Sequence, residues 1–247
     1  MSGDRIKIMN YWDKQAVLFK ESDKAVSGDR IASELEVAEI LKHLNAGDLV
    51  MDMGCGNGWK DVEYAKTGAT IDGFDYSAEM IRIATEHETP TLHFAQANVL
   101  EPNLAGVYDV VISDRCLINL TSEEEQLLAF DNLARAVKRG GKLLLMESTE
   151  AGLENINRER AKIGFEPIEQ RWHNKYLSGR FMQIAYNRWM KWGIEVRAIH
   201  FNSTYFLISR TLNAALGGTY DSTMNELAAK LTPSGEFSPL CLYVYTK

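Results

Sequence analysis

A short apolar run, Leu49-Val50-Met51, leads into Asp52-Met53-Gly54-Cys55-Gly56-Asn57-Gly58-Trp59, where three alternating glycines precede a helical pattern. Gly carries no Cβ, so its backbone takes positive φ and lets a ligand approach closely. A strand-to-helix turn of this kind leaves backbone N–H groups free at a helix N-terminus. A glycine turn alone decides little, because many tight turns hold two or three glycines. A second apolar run, Ala69-Thr70-Ile71-Asp72-Gly73-Phe74, ends at Asp75, 21 residues after Gly54. An acid at that place can accept both ribose hydroxyls of a nucleoside lying on the glycines. The spacing matters too. Dinucleotide-binding turns read G-x-G-x-x-G, whereas this one reads D-x-G-x-G-x-G.

That pattern, with Asp52 ahead of the glycines and Asp75-Tyr76-Ser77-Ala78-Glu79-Met80 after the second strand, resembles motif I and the following segment of the class I S-adenosylmethionine-dependent methyltransferases. The resemblance covers residues 50–147 well and the rest loosely. It implies a Rossmann-like sheet whose last strand is antiparallel, with S-adenosyl-L-methionine as cofactor and S-adenosyl-L-homocysteine as product. It also implies that Asp52 and the loop Gly54, Cys55, Gly56, Asn57, Gly58 lie along the methionine part of the cofactor. Asp75 then takes the ribose-binding place, with Tyr76 and Met80 beside it. Asn98, with Val99, stands where the family usually has an acid that receives the adenine amino group. An Asn carbonyl can accept the same bond, although Asn is also an ordinary turn residue. Tyr11-Trp12 matches an aromatic arm that closes over the cofactor in many members; simple anchoring of Trp12 on the domain is the other reading.

Length and composition set bounds. The 247 residues suit one large α/β domain with insertions. A net charge of −7 argues against duplex nucleic acid, whose phosphates need a strong basic field. No apolar run approaches membrane-spanning length, and the polar start lacks the core of a signal peptide. Cys55, Cys116 and Cys241 are far apart and share no metal-ligand spacing with the histidines, so no metal is expected and a reduced, cytoplasmic setting is the default.

Taken in order, residues 4–28 read as an irregular arm. A helix follows, marked by Ile31, Leu35, Val37, Ala38, Leu41 and Leu44. Strands are expected at Leu49–Asp52, 69–75, Thr91–Phe94, Tyr108–Asp114 and Lys142–Glu147, each pair separated by a helix. Ser77 is the expected N-cap of one helix, and Thr121 with Glu124 a capping box for another bearing Leu127, Leu128, Phe130, Leu133 and Val137. This alternation predicts a doubly wound, mostly parallel α/β sheet with right-handed crossovers. A helix over 179–192, with Phe181, Ala185, Trp189 and Trp192 on one stripe, leads to strand six at Gly193–Phe201, and Leu242–Thr246 closes the sheet as strand seven. Within a single domain spanning 1–247, residues 29–147 form the cofactor-binding core. Residues 148–178 and 203–238 leave strands five and six at their carboxyl ends, where such sheets bind ligands. Both are too long for simple connections and are expected to fold as helical lid insertions.

Methyl transfer from a sulfonium needs in-line approach, and a neutral hydroxyl acceptor adds the need for a base. Asp114, ending strand four, is placed to serve, to hold the cofactor's amino group, or to pair with Arg115. Arg115 could equally clamp the methionine carboxylate. His173, in Arg171-Trp172-His173-Asn174-Lys175-Tyr176, could take a proton near pH 7, although a loop histidine is often structural. His200 and Glu147 are weaker alternatives. From Gln170 to Ile194 there are five bases and no acid, so this stretch is +5 and the rest of the chain −12. Arg180, Arg188 and Lys191 fit a solvated helix rim. Arg171 and Lys175, with Asn174 and Tyr176 beside them and Arg210 further on, fit contacts to an anionic substrate, or plain surface charge.

The resulting expectation is methyl transfer to a small molecule, with oxygen favoured, in a phosphate- or carboxylate-bearing metabolite or a sugar derivative. No nucleic-acid or membrane partner is expected. No Asn/Asp-Pro-Pro-Tyr segment follows strand four, where amino-directed nucleic-acid methyltransferases of this class carry one. A non-catalytic S-adenosylmethionine-binding protein stays open. An NAD(P)-dependent oxidoreductase fits only if the glycine spacing is ignored.

Overall fold

Apolar residues at alternate positions along the strands sort onto the two faces of one sheet, which is what a period of two requires. Val50, Ile71, Val110, Ile112, Leu144 and Val244 pack on one side; Met51, Met53, Val111, Leu143, Leu145 and Tyr245 pack on the other. The computed structural model describes residues 3–20, 22, 25, 28–101, 107–191 and 193–247. The strands are β1 (Leu49–Met53), β2 (Thr70–Asp75), β3 (Leu92–Gln96), β4 (Tyr108–Asp114), β5 (Val137–Ser148), β6 (Glu195–Ile199) and β7 (Leu240–Thr246). Their order is β3-β2-β1-β4-β5-β7-β6, parallel from β3 through β5, with β7 antiparallel to both neighbours. The doubly wound, seven-stranded expectation is met, including the antiparallel last strand.

The helices are α1 (Gly3–Phe19), α2 (Arg30–Leu41), α3 (Trp59–Ala65), α4 (Ala78–Ala84), α5 (Glu123–Ala136), α6 (Glu150–Lys162), α7 (Gly179–Trp189), α8 (Ser203–Ile208) and α9 (Thr223–Ala228). α2 and α3 cover the first face through Val37, Ile40 and Tyr64. α5 and α7 cover the second through Phe130, Leu133, Phe181 and Trp189. Trp189 is fully buried against Phe130 and Tyr245, and its indole N–H reaches the Thr246 carbonyl at 3.1 Å. Trp192, expected on the same stripe, lies outside the described residues.

Several expectations need correction. The arm is not irregular: residues 3–19 form α1, whose only buried residue is Ala16. A helix that buries so little has no apolar stripe for sequence periodicity to detect. The capping box sits one residue later than expected. Ser122 is the N-cap and accepts from Glu125 N–H at 3.2 Å, while the Glu125 carboxylate takes the Thr121 N–H at 2.9 Å. Leu128 is exposed, because it falls off the Leu127–Phe130–Leu133 face. Val137 and Gly140-Gly141 belong to β5 rather than to the end of a helix, and β3 extends to Gln96. Strand six is shorter than the expected Gly193–Phe201.

The two long stretches after β5 and β6 meet each other. The Arg160 guanidinium on α6 donates to the carbonyls of Glu166 and Arg210, and Asn155 donates to Glu236 O at 2.9 Å. No helix among the described residues is long and apolar enough to cross a membrane.

Candidate active site

Gly54 shows why the turn after β1 must be glycine. Its φ is +94°, and a Cβ there would stand 2.8 Å from Cys116 Cβ, at the start of the turn after β4. The N–H of Gly56 points back to Asp75 Oδ2 at 3.0 Å, while Ser77 N–H bonds Asp75 Oδ1 at 2.8 Å. The carboxylate at the end of β2 is therefore locked against the glycine turn. Burial pushes its pKa up despite these bonds. Ser77 also caps α4, as expected, through Met80 N–H.

A cavity of about 410 Å³ opens over the carboxyl ends of β1, β2, β4 and β5. One end is lined by Asp52, Gly54, Cys55 and Gly56, then by Asp75, Tyr76, Met80, Asn98 and Val99. The other is lined by Arg171, His173, Asn174 and Tyr176 from the first long stretch and by Phe206, Arg210 and Tyr220 from the second. Asp114 and Arg115 lie between. Arg115 is one of two non-glycine residues with positive φ (+55°) among the described residues, a strained backbone of the kind that gathers at functional sites.

Some expected residues fall elsewhere. Tyr11 does not line the cavity; its ring stacks on His173, with centroids 4.4 Å apart. Asn57 and Gly58 also miss it. Asn57 is fully buried and donates to the carbonyls of Lys20 and Ser22, tying down the chain after α1. Gly58 is the left-handed N-cap of α3, packed against Phe94. Lys175 is exposed away from the cavity, since its backbone N–H is bound to Ile118 O at 2.6 Å. His200 and Glu147 are absent from the lining. Asn98 is partly committed as an Asx turn, its carbonyl oxygen accepting from Leu100 N–H at 3.0 Å.

Two expected bases are weak. His173 is 4% exposed, and burial followed by the charge of Arg171 lowers its pKa to about 4. It is therefore neutral at physiological pH, and its buried Nδ1 has no partner among the described residues. Burial works to raise Asp114, but the Lys60 ammonium and the Arg115 guanidinium overcome it and hold the carboxyl below its ordinary value. Asp114 is paired on both oxygens. Glu147 lies fully buried under the turn after β4 and accepts from Ser113 Oγ (2.9 Å), Leu117 N–H (2.8 Å) and Ile118 N–H (3.3 Å). Burial lifts its pKa to about 8.

Sequence reading missed Lys60, Glu36 and Asp29. Lys60 joins Glu36 to Asp114, and Glu36 also takes Arg115 at 2.7 Å. A signal for Glu36 existed: Ala32, Glu36 and Ile40 share one helical face, so an acid interrupts an otherwise apolar stripe. Asp29 caps α2 through Ala32 N–H and holds Tyr205 Oη and Arg210, each at 2.7 Å. Arg210 lies between the rings of Phe206 and Tyr220, both 4.5 Å away, so its edge faces the cavity. Trp12 does line the cavity, and its indole N–H donates to Asn119 Oδ1 at 3.0 Å.

The sheet order, the glycine turn after β1 and the acid after β2 on one cavity are those of the class I S-adenosylmethionine-dependent methyltransferase fold. Residues 50–141 match the family model described as a methyltransferase domain. A ubiquinone biosynthesis O-methyltransferase of Vibrio parahaemolyticus is 36% identical over 38% of this chain and 41% of its own length. A tRNA (carboxymethyluridine(34)-5-O)-methyltransferase of Xenopus tropicalis is 32% identical over 44% of this chain and 17% of its own. The chain thus spans less than half the length of either relative. The magnesium protoporphyrin IX methyltransferase of Synechocystis PCC 6803, solved with bound S-adenosylmethionine, shares the fold: TM-score 0.63 and 16% identity, covering 100% of this chain and 98% of that one.

Proposed function

We propose that this chain transfers the methyl group of S-adenosylmethionine to an oxygen of a small, negatively charged acceptor. The observation that carries the reading is one continuous cavity, running from the glycine turn and Asp75 to Arg171, His173, Tyr176 and Arg210. The first end suits the cofactor: Asp75 retains lone pairs for a ribose, and the buried Asp52 Oδ1 has no partner among the described residues, as a cationic ligand would require. When bound, the cofactor supplies an already activated methyl group. This chain's residues then have to orient the acceptor and keep water out.

The weakness of His173 and Asp114 as bases favours an acceptor oxygen that is already ionised, such as a carboxylate or phosphate-type oxyanion. Arg171 makes no ion pair among the described residues and suits the acceptor's charge; Arg210, shared with Asp29, suits orientation. His173 then positions the acceptor rather than deprotonating it. The stretches 148–178 and 203–238, joined by Arg160, act as the lid of a single domain. The chain's −7 charge supports a small acceptor over tRNA.

The test is formation of S-adenosylhomocysteine across a library of carboxylates, phosphate esters, neutral alcohols and tRNA. Turnover with neutral alcohols alone would overturn the oxyanion reading. Tight cofactor binding with no turnover on any acceptor would favour a non-catalytic binding protein.

A further inference from the structure

Asp52 ends β1, and Asp61 lies in the first turn of α3. They are 3% and 0% exposed. Asp52 Oδ1 and both oxygens of Asp61 find no donor among the described residues. Lys60, the neighbouring base, pairs with Glu36 and Asp114. Two buried carboxyl groups in contact satisfy each other only when one carries a proton and gives it to the other. The surroundings are acidic. Asp52 is faced by Asp61, Lys60 and Tyr64 of α3, by Asp114 of β4 and by Asp75 of β2. Glu36 of α2 and Arg115 complete the cluster, so five acids meet two bases. Of the pair, Asp52 lines the cavity and Asp61 does not.

We propose that Asp61, acting through Asp52, is a specificity-determining residue: the pair holds one proton in the free site and releases it when a sulfonium ligand arrives, favouring S-adenosylmethionine over S-adenosylhomocysteine. This rests on the cofactor reading above. No covalent bond changes except one O–H: the proton passes to solvent, leaving two carboxylates beside the incoming positive charge. The product's uncharged sulfur does not offset their repulsion, so the pair recovers its proton and the product is held less tightly. Burial foremost raises the pKa of both Asp52 and Asp61, so the pair keeps a proton at a pH where ordinary carboxylates have lost theirs.

Calorimetric titration with each ligand, in buffers of different ionisation enthalpy, counts the protons released on binding. The parent protein should release more with S-adenosylmethionine than with S-adenosylhomocysteine. Its preference for the former should rise with pH, because only that ligand expels the proton. Asp61→Asn should remove both the extra proton and the pH dependence. The α-amino group of both ligands titrates in this range too, so the comparison between variants isolates the pair. Equal proton release with the two ligands in the parent protein overturns the inference without need of any variant. So does an unchanged pH dependence in a folded Asp61→Asn protein. If neither ligand binds, the cofactor reading itself falls, and this inference with it.

Discussion

Asp75→Ala separates what the carboxylate does for the fold from what it does for the ligand. In the protein alone, each oxygen accepts one backbone N–H, from Gly56 at 3.0 Å and Ser77 at 2.8 Å. Those bonds favour the ionised form, yet burial outweighs them and raises the pKa. An acid whose folded pKa is raised binds more protons folded than unfolded, so its ionisation costs stability as pH rises above the ordinary value. Removing it takes away that cost and leaves two N–H groups without partners, worth about 1–3 kcal/mol each if they stay dry. The effects oppose, so the midpoint of thermal unfolding should move by only a few degrees. The ligand has no such compensation. A ribose hydroxyl donating to a carboxylate is a charge-assisted bond worth about 1.5–3 kcal/mol, or roughly 10- to 150-fold in affinity. Calorimetry with S-adenosylhomocysteine alongside thermal unfolding reads both quantities. Unchanged affinity in a folded variant would remove Asp75 from the site, and a collapse of stability would show that its role is structural.

Three further outcomes follow from the geometry. His173→Gln should lower turnover by less than about 100-fold, the least expected for loss of a general base, and leave cofactor affinity intact; the ratio of initial rates decides. Arg171→Ala should raise the Michaelis constant for an anionic acceptor about tenfold, a modest figure because the side chain is exposed, without changing cofactor binding. Glu147, with a folded pKa of about 8 against an ordinary 4.5, makes stability fall as pH climbs between those values. Glu147→Gln should flatten that slope in denaturant titrations at several pH values, and a slope like the parent's would place its origin elsewhere.

The glycine-turn end of the cavity was legible because its geometry is local. Gly54 and Gly56 need positive φ within one turn, and Asp75 follows from the end of the next parallel strand, so spacing alone carries the relation. The strand order was legible for a similar reason: apolar runs separated by helices leave few right-handed solutions. α1 was not, since a helix burying only Ala16 writes no stripe into its sequence. Nor were Asn57 and Lys175, whose neighbours in the chain line the cavity while their own contacts point elsewhere.

The sequence by itself determined the sheet, the glycine turn and the acid beside it, because these depend on residues a few positions apart and on periods of two and 3.6. Only the tertiary structure decided the charge states. Whether Asp114 is a base or a salt-bridge partner depends on Lys60 and Arg115, and Lys60 in turn depends on Glu36, 24 residues earlier. His173 loses its basicity to burial under Tyr11 and to the charge of Arg171, and burial, then the charge of Asp52, raises the pKa of Asp61. Protonation follows solvation and nearby charge, and both are properties of the folded surroundings rather than of position in the chain.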